Sequence, residues 1–500
     1  MDILKKINKK IILDFLYLLG WLVLAVFGIF NYKRCFFDKC YFNTNWLFAD
    51  PQIGFWQNLI SGGLVSLFFL IAIVWSYHFW NNYKSYKKSL LIFIFIISSL
   101  SALLVLPFGS SDVDFYYNSA KAVTAGINPY VESWPLQRNF SYPPDNISLI
   151  NGMAYGPLFL RFIQVFYQLA GGNPFVFIVL WKILIFFAYL FCVWLLYPLI
   201  KQNQWAKEKD NFILFWLCQP LIIWEWLANG HFDVLWIVFL ILSIFFSQKR
   251  NWFLALIFLS VSIWIKIIPI FLIPWLGIWW LNNLKKDFKI KELLSFIYGI
   301  GGGLAVTIVS WLGFWRGLST IQPIILQSKW AADSLFSLVY YSLKPAFEIL
   351  IGGNYHWYLT RIVQFSFLML LIYFFWPMVC KLWSFIASKR NFLNQEIFVY
   401  IFLTLVLFLL IWQKSFWPWY IIWLLLFAVL AGLELDNGYL YKICRWLFAV
   451  PLAFYPIWYI NWLLRGTDAT PELWFNFVFT GLVVFYPLLY LFRWRQKKYN

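Results

Sequence analysis

Apolar runs of about 20 residues recur along the whole chain, broken by short charged clusters and a few longer polar stretches. The runs are continuous rather than alternating, so they read as membrane-crossing helices and not as strands of an outer-membrane barrel. Fourteen candidate spans follow, near 11–31, 58–80, 89–107, 174–200, 212–228, 233–247, 252–266, 268–282, 293–313, 356–378, 396–412, 417–433, 446–463 and 473–492. Those between 233 and 282 are short, which predicts little tilt or partial re-entry. The run 153–170 contains Arg161 and Gln164 beside Pro157, and it is predicted as an amphipathic helix lying on the outer surface. The first run is too long for a signal-peptide core and lacks a small-residue cleavage site, so it is read as a true span. The sizeable polar stretches are 32–57, 108–173 and 314–355, and no fixed-period repeat, low-complexity tract or soluble domain separates them.

Composition agrees: 63% of residues are hydrophobic and 12% charged, which excludes an ordinary soluble enzyme and marks an integral membrane protein. The net charge of +18 would suit a nucleic-acid binder, but its distribution argues against one. With a cytoplasmic N-terminus and alternating sides, cytoplasmic segments carry 25 of the 39 Lys and Arg, among them Lys84, Lys87, Lys88, Lys285, Lys286, Arg493 and Arg495. This positive-inside pattern puts both termini in the cytoplasm and the stretch 108–173 outside. Among six cysteines, Cys35 and Cys40 share the first outer loop and could form a disulfide there. Cys192, Cys218, Cys380 and Cys444 read as structural thiols, and His78, His231 and His356 are too dispersed for a zinc signature.

Candidate chemistry gathers on the outer side. Asp112-Val113-Asp114 follows the third span, and the turn Asn229-Gly230-His231-Phe232-Asp233 follows Glu225. Lys266 lies in an apolar run at an outer end, and Gln413-Lys414-Ser415-Phe416-Trp417-Pro418-Trp419-Tyr420 forms a fourth element. Ionisable groups at membrane depth are costly and usually face a cavity, so this coincidence points to an enzyme or a transporter. Each element also has a structural reading. Asp114 can cap a helix running from Phe115 to Ala125, the 229–233 segment can be a plain turn, and Lys266 and Lys414 can snorkel. Lys182 lies inside the fourth span and is left between pairing with Glu225 and binding an anion.

The stretch Asp112-Val113-Asp114-Phe115-Tyr116-Tyr117, then Ala122 to Tyr130 with Gly126-Ile127-Asn128-Pro129-Tyr130, then Ala154-Tyr155-Gly156-Pro157-Leu158, resembles the first outer loop of GT-C glycosyltransferases. It is most similar to polyprenyl-phosphate-mannose-dependent mannosyltransferases. Glu225 to Asp233, Lys266-Ile267-Ile268-Pro269 and Trp417-Pro418-Trp419-Tyr420 resemble stretches of bacterial and archaeal members. The resemblance covers roughly 89–433 and departs at the N-terminus, where the acidic loop follows the third span rather than the first. It implies an all-α, polytopic bundle of about 14 membrane helices, with 1–88 as an added N-terminal hairpin, 89–433 as the catalytic domain and 434–500 as a C-terminal hairpin.

It also implies an inverting transfer of a hexose, expected to be mannose, from a polyprenyl-phosphate donor to a lipid-linked, glycan or protein acceptor. The active face is then outside a cell membrane, or lumenal in an endoplasmic reticulum. An attacking hydroxyl needs a base, for which Asp114 is the first expectation and Asp112 the second. The leaving phosphate needs a cation, for which Lys266, Lys414, Arg138 and Arg361 are candidates in that order. Tyr117, Glu225, Asn229, His231, Asp233, Trp419 and Tyr420 are expected to line the substrate site. A divalent ion between the two aspartates is left open, with no metal ligands assigned. The competing class is a carrier or flippase for a lipid-linked sugar, with Lys182, Glu225 and Lys266 along its pathway, although no paired inverted halves are visible.

Overall fold

In lipid every backbone N–H and C=O must find a partner within the chain, and a sequence this apolar therefore resolves almost wholly into helices. The computed structural model describes residues 9–37, 55–82, 85–107, 110, 112–137, 147–201, 213–214, 216–286, 289–323, 334–387, 394–413, 416–431, 438–457 and 478–499. Among these, Gly62–Asn82, Pro174–Ile200, Ile290–Trp311 and Tyr355–Cys380 are long and apolar enough to cross a membrane. Pro220–Ala228 and Asp233–Gln248 form a further apolar pair bent by 115°. Other apolar helices, such as Lys88–Leu104 and Trp252–Ile265, are shorter. The protein is a helical, multi-pass membrane protein.

Two compact units make up the chain. The first takes Met1–Pro274 with Asn283–Gln327, and the second takes Trp275–Asn282 with Ser328–Asn500.

The first unit opens with α1 (Lys9–Phe37) and α2 (Phe55–Asn82). Buried Asp14 on α1 accepts from Trp75 Nε1 at 2.8 Å and from the Tyr86 hydroxyl at 3.0 Å. Next come α3 (Lys88–Leu104), α4 (Asp112–Thr124), α5 (Pro157–Leu169) and α6 (Pro174–Lys201). A bent pair follows, α7 (Pro220–Ala228) and α8 (Asp233–Gln248), and then α9 (Trp252–Ile265). Beyond α10 (Ile273–Lys286), which runs from one unit into the other, α11 (Ile290–Trp311) returns to the first unit. Lipid gives helices little hydrophobic reason to associate, so close backbone approach matters. On α11 a Cβ at Gly299 would stand 2.7 Å from the Trp252 carbonyl oxygen, and one at Gly303 would stand 2.6 Å from Ser260 Oγ. Only glycine lets α9 and α11 lie this near each other.

The helix predicted to lie on the surface is α5. Thirteen residues are too few to cross, and Pro157, Phe159, Leu160 and Ile163 bury one face. The fold is all-α as expected, apart from one small hairpin. Between α4 and α5 the strands β1 (Ser133–Gln137) and β2 (Ile147–Asn151) form an antiparallel hairpin with Trp134 opposite Ile150. Trp134 is fully buried and its ring lies 6.0 Å from that of Phe115, which docks the hairpin on α4.

The second unit holds α12 (Leu335–Ile351), α13 (Tyr355–Ala387), α14 (Asn394–Leu407), α15 (Ile422–Ala431), α16 (Tyr439–Ala449) and α17 (Tyr486–Tyr499). Ser334 and Ser337 cap α12 reciprocally. Every residue of α15 is buried, as an all-apolar helix inside a bundle should be.

Candidate active site

The acidic loop is a helix. α4 starts at Asp112, whose amide donates to Ser110 Oγ at 3.1 Å, so Asp114 lies inside the first turn and is not the cap. Residues two apart on a helix point roughly 200° apart, and the two carboxylates leave α4 on opposite faces. Asp114 is fully buried, whereas the Asp112 side chain is 23% exposed. The two carboxylates therefore stand apart, and of the two it is Asp112, not Asp114, that has exposed surface. Tyr116, one turn along the same face, donates to Asp112 Oδ2 at 3.3 Å, and Tyr155 donates to the same oxygen at 3.3 Å.

Tyr155 is placed by the Gly-Ile-Asn-Pro-Tyr turn and by the start of α5. Gly126, at φ 84°, ends α4. Asn128 Nδ2 donates to the Phe314 carbonyl at 2.9 Å, and the Tyr130 hydroxyl donates to the Tyr155 carbonyl at 2.6 Å. A Cβ at Gly156 would fall 1.9 Å from the Trp264 carbonyl oxygen, so only glycine lets this segment lie against the end of α9. The Gly156 amide donates to the Ile265 carbonyl at 3.2 Å, next to Lys266.

The second half of the site is the bend between α7 and α8. Residues Ile223–Ala228 wind as a π-helix, a local widening that recurs at functional sites. Glu225 and His231 are completely buried there, and Asn229 Nδ2 donates to Glu225 Oε2 at 2.9 Å. Gly230 takes φ 73°, which a side chain would resist, and its carbonyl accepts from Trp181 Nε1 at 2.8 Å. The turn presents His231 between two carboxylates, with Nδ1 3.3 Å from Asp112 Oδ2 and Nε2 3.4 Å from Glu225 Oε2. Behind it, Asp233 Oδ1 accepts from Lys266 Nζ at 2.6 Å and from Trp236 Nε1 at 3.1 Å. The Lys266 ammonium lies 5.1 Å from the centre of the Phe232 ring.

Charges decide the protonation. Burial alone pushes the Asp112 carboxyl up, but the His231 imidazole and the Lys266 ammonium, with the Tyr116 hydroxyl, outweigh burial and hold it below its ordinary value. Burial alone pushes the His231 imidazole down, and Asp112, Glu225 and Asp233 outweigh it and raise it. The arrangement is a partly accessible carboxylate supported by a histidine and two tyrosine hydroxyls, with a lysine–aspartate pair beside it. Such a group can take a proton from an attacking hydroxyl, and the lysine can face an anion. Among the described residues no group of three or more His, Cys, Asp and Glu side chains is placed to hold a metal ion.

Residues 41–282 match the family described as Alpha-(1->6)-mannopyranosyltransferase, N-terminal domain. The chain is a glycosyltransferase of the mannosyltransferase type. No curated relative matches it. Every group of the site described above lies inside the matched stretch, and so does α2, which the sequence reading had assigned to an added hairpin.

For this mannosyltransferase-type enzyme, the structure brings together Asp112, Glu225, Asn229, His231, Asp233 and Lys266 from the sequence candidates. Tyr117 has a different task, since its hydroxyl donates to the Gly172 carbonyl at 2.6 Å and ties α4 to the end of α5. Lys182, which the sequence leaves between pairing with Glu225 and binding an anion, instead donates from Nζ to the Ala102 and Leu103 carbonyls at 3.0 and 3.2 Å and also to that of Val105. Arg138 and Lys414 lie outside the described residues, as does Cys40 of the expected disulfide. Arg361, Trp419 and Tyr420 belong to the second unit. There Arg361 is exposed over the Trp357 ring at 5.7 Å, and Trp419 stacks on Trp417 at 5.2 Å. Sequence reasoning missed Tyr116, Tyr155, Trp181 and Trp236 as site residues. Helical spacing could have found two of them, because Tyr116 is four residues beyond Asp112 and Trp236 three beyond Asp233.

Proposed function

We propose that the enzyme transfers mannose from a polyprenyl-phosphate donor to a hydroxyl of a lipid-linked, glycan or protein acceptor, with inversion, on the outer or lumenal face of a GT-C bundle of about fourteen spans. Asp112 takes the proton of the acceptor hydroxyl. The acceptor oxygen attacks the anomeric carbon, the bond from that carbon to the phosphate oxygen breaks, and polyprenyl phosphate leaves with the electron pair. Lys266 faces the departing phosphate and shares its ammonium between that anion and Asp233. Glu225 and His231 hold Asp112 ionised and oriented. The observation that carries this reading is the Asp112 carboxylate, partly exposed while held by His231, Tyr116 and Tyr155 beside the Lys266–Asp233 pair. The positive-inside distribution of Lys and Arg supports an outward active face.

The direct test is product analysis with purified protein in proteoliposomes, polyprenyl-phosphate mannose labelled in the sugar, and a candidate acceptor. Transfer with inverted configuration is expected. Movement of intact donor across the bilayer without transfer would make the protein a carrier instead.

A further inference from the structure

Lys182 is a buried lysine that the transfer reaction does not use. It sits in the third turn of α6, with 2% of its surface exposed, where an ionisable side chain is expensive to bury and needs an explanation. Its ammonium donates to the carbonyls of Ala102 and Leu103, in the last turn of α3, and to that of Val105 just beyond it. A helix end leaves its last carbonyls short of intrahelical donors, and here the Ala102 carbonyl accepts from the Val105 amide at 3.2 Å as well as from Lys182. Asp112 lies seven residues beyond Val105 in the chain.

The neighbouring residue acts on the other half of the site. Trp181 donates from Nε1 to the Gly230 carbonyl at 2.8 Å, in the turn that presents His231. Its ring also packs against Tyr116 at 5.8 Å and Phe159 at 6.1 Å, on α4 and α5. Two consecutive residues of one rigid helix thus hold the approach to Asp112 and the turn bearing His231. We propose that Lys182 is a positioning residue for the transfer: with Trp181, it sets from α6 the spacing between Asp112 and His231. This rests on the glycosyltransferase reading for its consequence in turnover, but not for its effect on the loop.

The groups facing Asp112 are His231 and Lys266 from beyond the bend, Tyr116 from α4 and Tyr155 from the segment before α5. His231, Tyr116 and Tyr155 each stand 3.3 Å from Asp112 Oδ2, so a displaced Asp112 would lose support from His231 among them. Lys182→Met removes charge and donors while keeping the bulk; Lys182→Gln restores two N–H donors.

The test measures maleimide labelling of Ser110→Cys by peptide mass spectrometry, with and without Lys182→Met, together with the pH profile of turnover. Labelling about threefold faster or more is expected in folded Lys182→Met protein. Turnover should fall about tenfold with KM little changed, the acid limb should move up, and Lys182→Gln should recover part of each. Should Lys182→Met fail to fold, Lys182→Gln is read against the parent in the same way. Labelling at the parental rate in a folded variant, or lost turnover with an unmoved acid limb, would overturn the proposal. A parent protein that transfers no sugar would strike the glycosyltransferase reading, while the labelling comparison would still decide whether Lys182 holds the loop.

Discussion

Asp112 Oδ2 stands 3.3 Å from His231 Nδ1, and the two groups stabilise each other's charged form. The linkage follows from the signs of the two shifts. The lowered carboxyl stabilises the fold above its ordinary value and loses that contribution as pH falls through its lowered one. The raised imidazole stabilises the fold below its ordinary value and loses that contribution as pH rises through its raised one. Both contributions are complete between about pH 3.9 and 6.5 and persist beyond each end. Turnover should accordingly keep its acid limb below the ordinary carboxylate range, and His231→Asn should move that limb upward. A limb in the same place in His231→Asn, measured by initial rates across pH, would remove histidine from the support of Asp112. Lys266 gives a second test at this scale. Lys266→Ala should raise the donor KM and reduce turnover by roughly ten- to a hundredfold, with partial recovery in Lys266→Arg. Unchanged donor kinetics would leave Lys266 as the structural partner of Asp233.

At the scale of elements, the site depends on two close approaches. The segment before α5 touches the end of α9 at Gly156, and the α7–α8 bend passes through Gly230 in a left-handed conformation. Gly156→Ala should cost about 1–3 kcal/mol through overpacking and should displace Tyr155 from Asp112, reducing turnover as well as the unfolding midpoint. Gly301→Ala, whose Cβ would meet open space, is the matched control and should leave both near the parental values. The N-terminal helices brace the same bend, for the Trp224 ring lies 4.7 Å from Phe69 and 6.1 Å from Trp21, and Ser76 Oγ donates to Gln219 Oε1 at 3.3 Å. Much of this was legible in the sequence. Charges are rare enough in an apolar chain that Asp112, the 225–233 turn and Lys266 stand out, and the amphipathic spacing of α5 separates it from the crossing helices. Less legible was the start of α4. The polar run offers Ser110, Ser111, Asp112 and Asp114 alike as cap residues, so the helical phase that sends Asp112 and Asp114 to opposite faces could not be read. The β1–β2 hairpin was hidden for a similar reason, because its five-residue strands, one containing Pro135, lack a clear alternation.

For the whole molecule, the charge distribution and the position of the site make one joint claim about sidedness. Cysteines at Ser110, before α4, and at Lys249, exposed after α8, should be labelled from opposite sides of the membrane. Labelling of both from one side would contradict the topology and with it the outward active face. The central claim is that Asp112 accepts the proton of the attacking hydroxyl while the rest of the site binds and orients the substrates. The most direct measurement compares Asp112→Asn with the parent in a purified transfer assay that reads donor binding and turnover separately. Asp112→Asn should bind the polyprenyl-phosphate donor normally and lose about 10²- to 10⁴-fold in turnover. Parental turnover in Asp112→Asn, with activity lost instead in Asp114→Asn, would return the base to the buried carboxylate and contradict the account.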